Sequence, residues 1–124
     1  VVVRGASVHG LPGLRRFPEN KWLEVALLRT NHKGVKMDTE DTRDTENLGK
    51  VDEVFRTASG LHKRGVGILG MKLIGEGRFT NPEDRQTAIN KVMRSGHVDA
   101  VTIGFKSTAE VDEAIERMNQ ALKG

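Results

Sequence analysis

The residues best placed to do chemistry are cations and small side chains gathered where apolar runs end. Lys106 and Ser107 stand where such a run hands over to a helical pattern, with Glu110 three residues after the serine. Exposed amides and the helix dipole at that junction favour an anion; the same pair also reads as a plain helix cap beside a solvated lysine. Gly75-Glu76-Gly77-Arg78 could cradle a phosphate, because glycines allow close backbone approach and Arg78 adds charge, or it could be an ordinary tight turn. Lys72 ends the preceding apolar run and either faces the same mouth or pairs with an acidic neighbour. His9 and the Asn31-His32 pair follow two other runs, so in a parallel sheet they share the C-terminal face where sites gather. With Asp38 or Glu76 the two histidines could hold a divalent metal for hydrolysis, although their spacing matches no compact zinc motif. Ser7 and His9 alternate onto one strand face, but neither a nucleophile elbow nor an oriented carboxylate accompanies them. His9 and His32 are therefore the catalytic candidates, and no metal ligand set is assigned. His62 reads as helical surface, and His97 as a loop residue.

Composition narrows what these groups can serve. At 124 residues the chain reads as one domain over 1–124, well short of the roughly 250 residues of a closed eight-stranded barrel. Twenty basic against seventeen acidic residues leave +3, too little to argue for a nucleic-acid partner. Phe17, Trp22, Phe55, Phe79 and Phe105 are too few and too scattered for a base-stacking platform. The absence of cysteine excludes a disulfide framework, a thiolate nucleophile and a cysteine zinc site. The same absence leaves the compartment open while favouring a cytoplasmic home, and no apolar run approaches the ~20 residues of a membrane span, so no membrane partner is expected. The chain opens on Val1 inside an apolar run and reads as a fragment or a processed product.

The elements that must position these groups follow from periodicity. Val1 to Val8 is predicted as a strand, and Leu11, Leu14 and Phe17 as a short helix closed before Pro18. Trp22 to Arg29 holds the continuous run Val25-Ala26-Leu27-Leu28, as in a strand covered on both faces. Asn31 to Gly49 is acidic and poorly patterned, and is expected to be an exposed, mobile loop, its acidic stretch running over about 33–49. Val51, Val54, Phe55, Ala58 and Leu61 form a helical stripe ended by Gly65, with Gly60 marking a weak or tightly packed turn. Val66 to Lys72 is a third strand. Asn81, Pro82 and Asp84 cap the next helix, whose stripe is Ala88, Ile89, Val92 and Met93 and whose end is Gly96. Asp99 to Ile103 is the fourth strand, Ser107 with Glu110 a capping box, and Val111, Ile115, Met118 and Leu122 the last buried stripe. Four βα units in a row require parallel strands with right-handed crossovers, arranged either as an open sheet or as part of a barrel.

Three stretches carry a family resemblance. Gly65-Val66-Gly67-Ile68-Leu69-Gly70-Met71-Lys72, continuing through Gly75 to Arg78, resembles the seventh strand and loop of aldo-keto reductases. Ile103-Gly104-Phe105-Lys106-Ser107, with Glu110-Val111-Asp112-Glu113, resembles the eighth strand and its phosphate-facing helix. Gly5-Ala6-Ser7-Val8-His9 is similar to the fifth strand, and the Asn31 region would close the sixth. The resemblance implies the C-terminal half of a (β/α)8 barrel, a (βα)4 unit that holds NADP or NAD for carbonyl reduction. It implies cofactor contacts from Ser7, Asn31, Lys72, Gly75, Gly77, Arg78, Gly104, Lys106, Ser107 and Glu113, with Ser7 on the nicotinamide amide. The family's catalytic Asp, Tyr, Lys and His belong to the other half; the chain has no tyrosine, and Lys72 does not match the catalytic lysine. Glu110 and Ala114 depart from the family pattern at the 2′-phosphate and adenine positions, which implies a weak site or a preference for the unphosphorylated cofactor.

Half a barrel would leave two unpaired strand edges, Val1-Val2-Val3 and the Asp99–Ile103 run. It would also leave Val25, Leu27, Ile68, Val101 and Ile103 without full cover, so a homodimer is expected. Three functions compete: a cofactor-binding half of an oxidoreductase, inactive or weakly active alone; a divergent metal-dependent hydrolase built on a half-barrel dimer; and a non-catalytic structural or interaction module.

Overall fold

The computed structural model describes residues 1–44 and 46–124. Four parallel strands lie in the sequential order β1-β2-β3-β4: β1 is Gly5–Ser7, β2 Val25–Arg29, β3 Gly67–Met71 and β4 Ala100–Val101. Each is followed by a helix, namely α1 (Leu11–Leu14), α2 (Val51–Lys63), α3 (Pro82–Met93) and α4 (Thr108–Lys123). Sequential order with crossovers of one hand sends every helix to the same face of the sheet. On that face Ala26, Leu28 and Ile68 are fully buried against Leu11, Leu14, Val54, Ala58, Leu61, Ile89 and Val92. The register Val25↔Gly67, Leu27↔Leu69 and Arg29↔Met71 puts the alternate residues on the opposite face, where Val25, Leu27, Leu69 and Met71 are only half-buried. The continuous apolar run of β2 thus serves two faces, of which the chain's own helices cover one.

Local signals place the helices well. Asn81 accepts a hydrogen bond from the Glu83 amide at 2.9 Å, and Pro82 occupies the first turn. Ser107 Oγ accepts from the Glu110 amide, while Glu110 reaches back to the Lys106 amide at 2.7 Å. Gly65 adopts φ +90°, as its position after α2 requires. No helix among the described residues is long and apolar enough to cross a membrane.

Several expectations are corrected. The first strand is shorter than Val1–Val8, and Val1 and Val2 are fully exposed, so these valines do not form a sheet edge. Phe17 leaves α1 for a separate 3₁₀ turn, Phe17–Glu19, that contains Pro18. The second strand begins at Val25 rather than Trp22, and the third and fourth shrink to Gly67–Met71 and Ala100–Val101. Asp99 still satisfies the ladder, since its amide bonds Ile68 O and its carboxylate accepts the Ile68 amide at 2.8 Å. Ile68 is fully covered after all. Gly60 is not tightly packed, because a Cβ there would meet nothing within 4 Å. On α4 the buried residues are Ala114 and Ala121, whereas Ile115 and Leu122 are exposed. Of the predicted stripe, Met118 still packs on the core and Val111 is partly buried, while small side chains take the fully buried places that face α3.

The largest correction concerns the segment after β2. Asn31, Met37, Asp38 and Thr39 are buried, although the surrounding composition predicts exposure. Two polar side chains organise the fold-back. Asn31 donates through Nδ2 to Val35 O at 2.7 Å and Lys72 O at 3.1 Å, and its Oδ1 accepts from the Lys33 and Gly34 amides. Asp38 accepts from the Gly10 amide at 2.7 Å, and Thr39 O accepts from the Leu11 amide, which ties the segment to the start of α1. Thr45, within the same predicted loop, lies outside the described residues.

Candidate functional site

A cleft of about 720 Å³ opens at the C-terminal ends of β3 and β4. Parallel strands deliver their following loops to this edge, where helix N-termini and unpaired strand ends leave polar backbone available. Met71, Leu73, Phe79, Ile89 and Ile103 supply apolar wall, and Lys72, Arg85, Lys106 and Arg117 supply cations against Glu76, Glu110 and Glu113.

Helices α3 and α4 fix the inner cations through one carboxylate. Arg85 grips Glu113 with Nε at 3.0 Å and Nη2 at 2.8 Å, and Arg117, one turn along α4, adds a bond of 2.8 Å. These bonds, from Arg85 first and Arg117 next, hold the Glu113 carboxyl at about 2, far below its ordinary range. Arg85 also donates to Phe79 O and Thr80 O, so it fastens the loop after β3 to α3. The Nε of Arg117 is buried in this wall without a hydrogen-bond partner among the described residues. At the outer lip, Lys106 has no carboxylate partner for its ammonium among the described residues. Ser107 and Glu110 satisfy the Glu110 and Lys106 amides, leaving those of Thr108 and Ala109 as first-turn donors.

A second polar group lies at the ends of β1 and β2. Arg29 donates from Nη2 to His9 Nδ1, and its Nη1 stands 3.9 Å from the wholly buried Asp38 carboxylate. Arg29 Nε and Asp38 Oδ2 are buried there without partners among the described residues.

The predicted site residues divide accordingly. Lys72, Gly77, Gly104, Lys106 and Glu113 line the cleft together. Ser107 caps α4 beside it, and Gly75 is buried under Val35 and Phe79 at φ +60°. Arg78 lies outside the lining and binds Glu46 at 3.2 Å. Ser7 is exposed on β1, and β2 separates it from β3 and the cleft. Asn31 is engaged internally through every side-chain donor and through its oxygen, so it builds the loop rather than contacting a ligand. His9 pairs with Arg29, while His32 stacks edge-on against Phe79 and lies 3.4 Å from Asp84. Asp84, expected to help cap α3, binds Lys33 at 2.6 Å instead. Glu76 pairs with Lys72. Among the described residues no three histidine, aspartate or glutamate side chains converge as a metal site. His62 pairs with Asp99 at 3.1 Å, and the partly buried His97 packs against Phe55.

Arg85, Arg117 and Phe79 escaped the sequence reading. The Glu113/Arg117 spacing of four was available as a helical pair. Nothing local, however, told that Arg85 would reach across to Glu113 from another helix. Comparison with protein-family models, with curated proteins and with solved structures found no match for this chain.

Proposed function

We propose that this chain is the dinucleotide-binding half of an NAD(P)(H)-dependent oxidoreductase similar to the aldo-keto reductases, inactive or weakly active alone. The observation that carries the reading is the cleft at the ends of β3 and β4, where five of the residues implied by the resemblance meet, Lys72, Gly77, Gly104, Lys106 and Glu113. The residues fit the group on this structure's own terms. The volume falls within the range of ligand pockets, apolar wall faces cations, and Arg117 keeps a buried N–H without a partner. Lys106 and the first-turn amides of α4 would take phosphate oxygens, with Arg117 behind them. The nicotinamide would supply hydride transfer; the chain's own part is to bind, orient and shield.

The same reading makes the sheet half of an eight-stranded barrel completed by a second copy. Its support is the sequential strand order, which leaves one apolar face and the free edges of β1 and β4 uncovered. Calorimetric titration with NADH and NADPH tests the binding reading. NADH should bind more tightly than NADPH, because Glu110 sits at the α4 lip, and Lys106→Ala should weaken both at least tenfold. No heat with either cofactor at millimolar concentration would remove the proposal. Sedimentation should show a dimer, and a folded monomer at high concentration would exclude closure by self-association.

A further inference from the structure

Helix α4 packs along α3, where Ala114 and Ala121 are its buried residues. Its larger apolar stripe fares differently: Val111 and Met118 are only partly buried, and Ile115 is 53 % exposed. A right-handed crossover lays a helix over its own strand and over the next one. Helix α2 shows the rule, since it packs on both β2 and β3. Helix α4 follows β4, and among the described residues no strand lies beyond β4. Its stripe therefore suits a strand that this copy does not place there. The sheet edges tell the same story. β4 is bonded to β3 alone and β1 to β2 alone, so each keeps a row of unpaired backbone groups.

Strand direction and charge name the occupant. All the strands run parallel, so β1 of a second copy can continue the sheet beyond β4 in the same sense, with its α1 beside α4. On α4, Asp112 and Glu116 stand one turn apart on either side of Ile115, exposed and in no ion pair among the described residues. Arg16, just after α1, is likewise exposed with its guanidinium unpaired among the described residues. Acid on one margin and base on the other suit this contact, and two such contacts about a two-fold axis close the pair. The same contact reaches the cleft, whose outer side runs along the free edge of β4 at Thr102, Ile103, Gly104 and Phe105. Parallel pairing brings the C-terminal end of the added strand to that mouth, and β1 ends on Ser7 with His9 two residues on. We propose that a second copy lays β1 along β4 and beneath α4, covering Ile115, and that Ser7 of the partner subunit and the partner subunit's His9 complete the outer wall of the cleft. β1 has three residues and spans about 10 Å, as much as two turns of helix, so Leu122 stays outside the contact. The inference rests on the barrel reading and adds which surfaces meet and that the cleft is shared.

Sedimentation equilibrium and amide NMR on the full chain test this. Ile115→Asp should weaken the dimer about a hundredfold, and Leu122→Lys should leave it unchanged. Glu116→Arg should weaken it about tenfold, and adding Arg16→Glu should restore it; should Ile115→Asp fail to fold by circular dichroism, this charge pair decides the interface. Ser7→Ala should shift the amide resonances of Gly104 and Phe105 in the dimer. It should leave them unmoved in either weakened variant below its dissociation constant, because within one copy β2 and β3 separate Ser7 from β4. A dimer indifferent to both Ile115→Asp and the charge reversal overturns the proposal and leaves the barrel reading standing. So do resonances that Ser7→Ala never moves, or moves equally in the monomer. A folded monomer of the unaltered chain removes the barrel reading as well. A dimer that meets these tests yet gives no heat with NADH removes the cofactor reading alone.

Discussion

Asn31 offers the sharpest test of how the site is built, because the family resemblance makes it a cofactor contact and the structure makes it a buried brace. Its side chain is fully buried and makes four hydrogen bonds, two as donor and two as acceptor. Asn31→Ala would strand Val35 O, Lys72 O and the Lys33 and Gly34 amides. Stranding a buried polar group costs about 1–3 kcal/mol, less where water can replace the partner. Because three of the four bonds are only partly buried and that to the Gly34 amide is buried, a total of about 4 kcal/mol is expected, near the top of the range for single substitutions. With an unfolding entropy of about 2.1 cal/mol/K per residue, that loss lowers Tm by about 15 °C. Asn31→Asp is the sharper variant. It keeps the acceptor but turns an anion toward two carbonyl oxygens, so its folded-state pKa must rise above the ordinary aspartate value. The folded variant then holds more protons than the unfolded chain, and its deficit relative to wild type must shrink as pH falls from 7.5 to 4.5. Thermal unfolding followed by circular dichroism measures both effects. A variant that keeps its Tm within 2–3 °C, about what a substitution of under 1 kcal/mol produces, yet loses NADH binding would refute the reasoning and restore Asn31 as a ligand contact.

Three further outcomes are expected. Glu113 is held at about 2 by Arg85 and Arg117, so its stabilising share is complete above the ordinary carboxyl value of 4.5 and is lost as pH falls toward 2; urea midpoints across that window should fall more steeply for the native chain than for Glu113→Gln. His97 is shifted the other way about, its pKa lowered by burial first and by nearby His62 next, so the unfolded chain takes up the proton first and stability drops as pH falls below 6.5; His97→Gln should flatten that drop in denaturant titrations. Gly34 adopts φ +82° with room for no Cβ, since one would sit 2.6 Å from Gly49 O, and Gly34→Ala should lower the urea midpoint by an amount equivalent to about 2–3 kcal/mol, whereas Leu122→Lys on the exposed side of α4 should leave it within about 0.5 kcal/mol.

Much of the architecture was written locally. The stripes of α2 and α3, the caps at Asn81 and Ser107, and the left-handed stop at Gly65 depend on residues a few positions apart, so the chain itself specifies them. Four βα repeats likewise dictated a parallel sheet. What only the tertiary structure decided were the contacts between residues far apart in sequence. An acidic stretch with little apolar content reads as solvated, yet Asn31 and Asp38 find backbone partners that no local pattern announces, and they draw Met37 inside. The α4 stripe is half right, since Met118 packs on the core and Val111 is partly buried, while Ile115 and Leu122 are exposed and Ala114 and Ala121 take the buried places against α3. Arg85 becomes a site residue because α3 lies against α4 and brings its guanidinium to Glu113. Periodicity records which face of an element is apolar, while charge and hydrogen-bond partners are chosen in three dimensions, and the cleft is made of the latter.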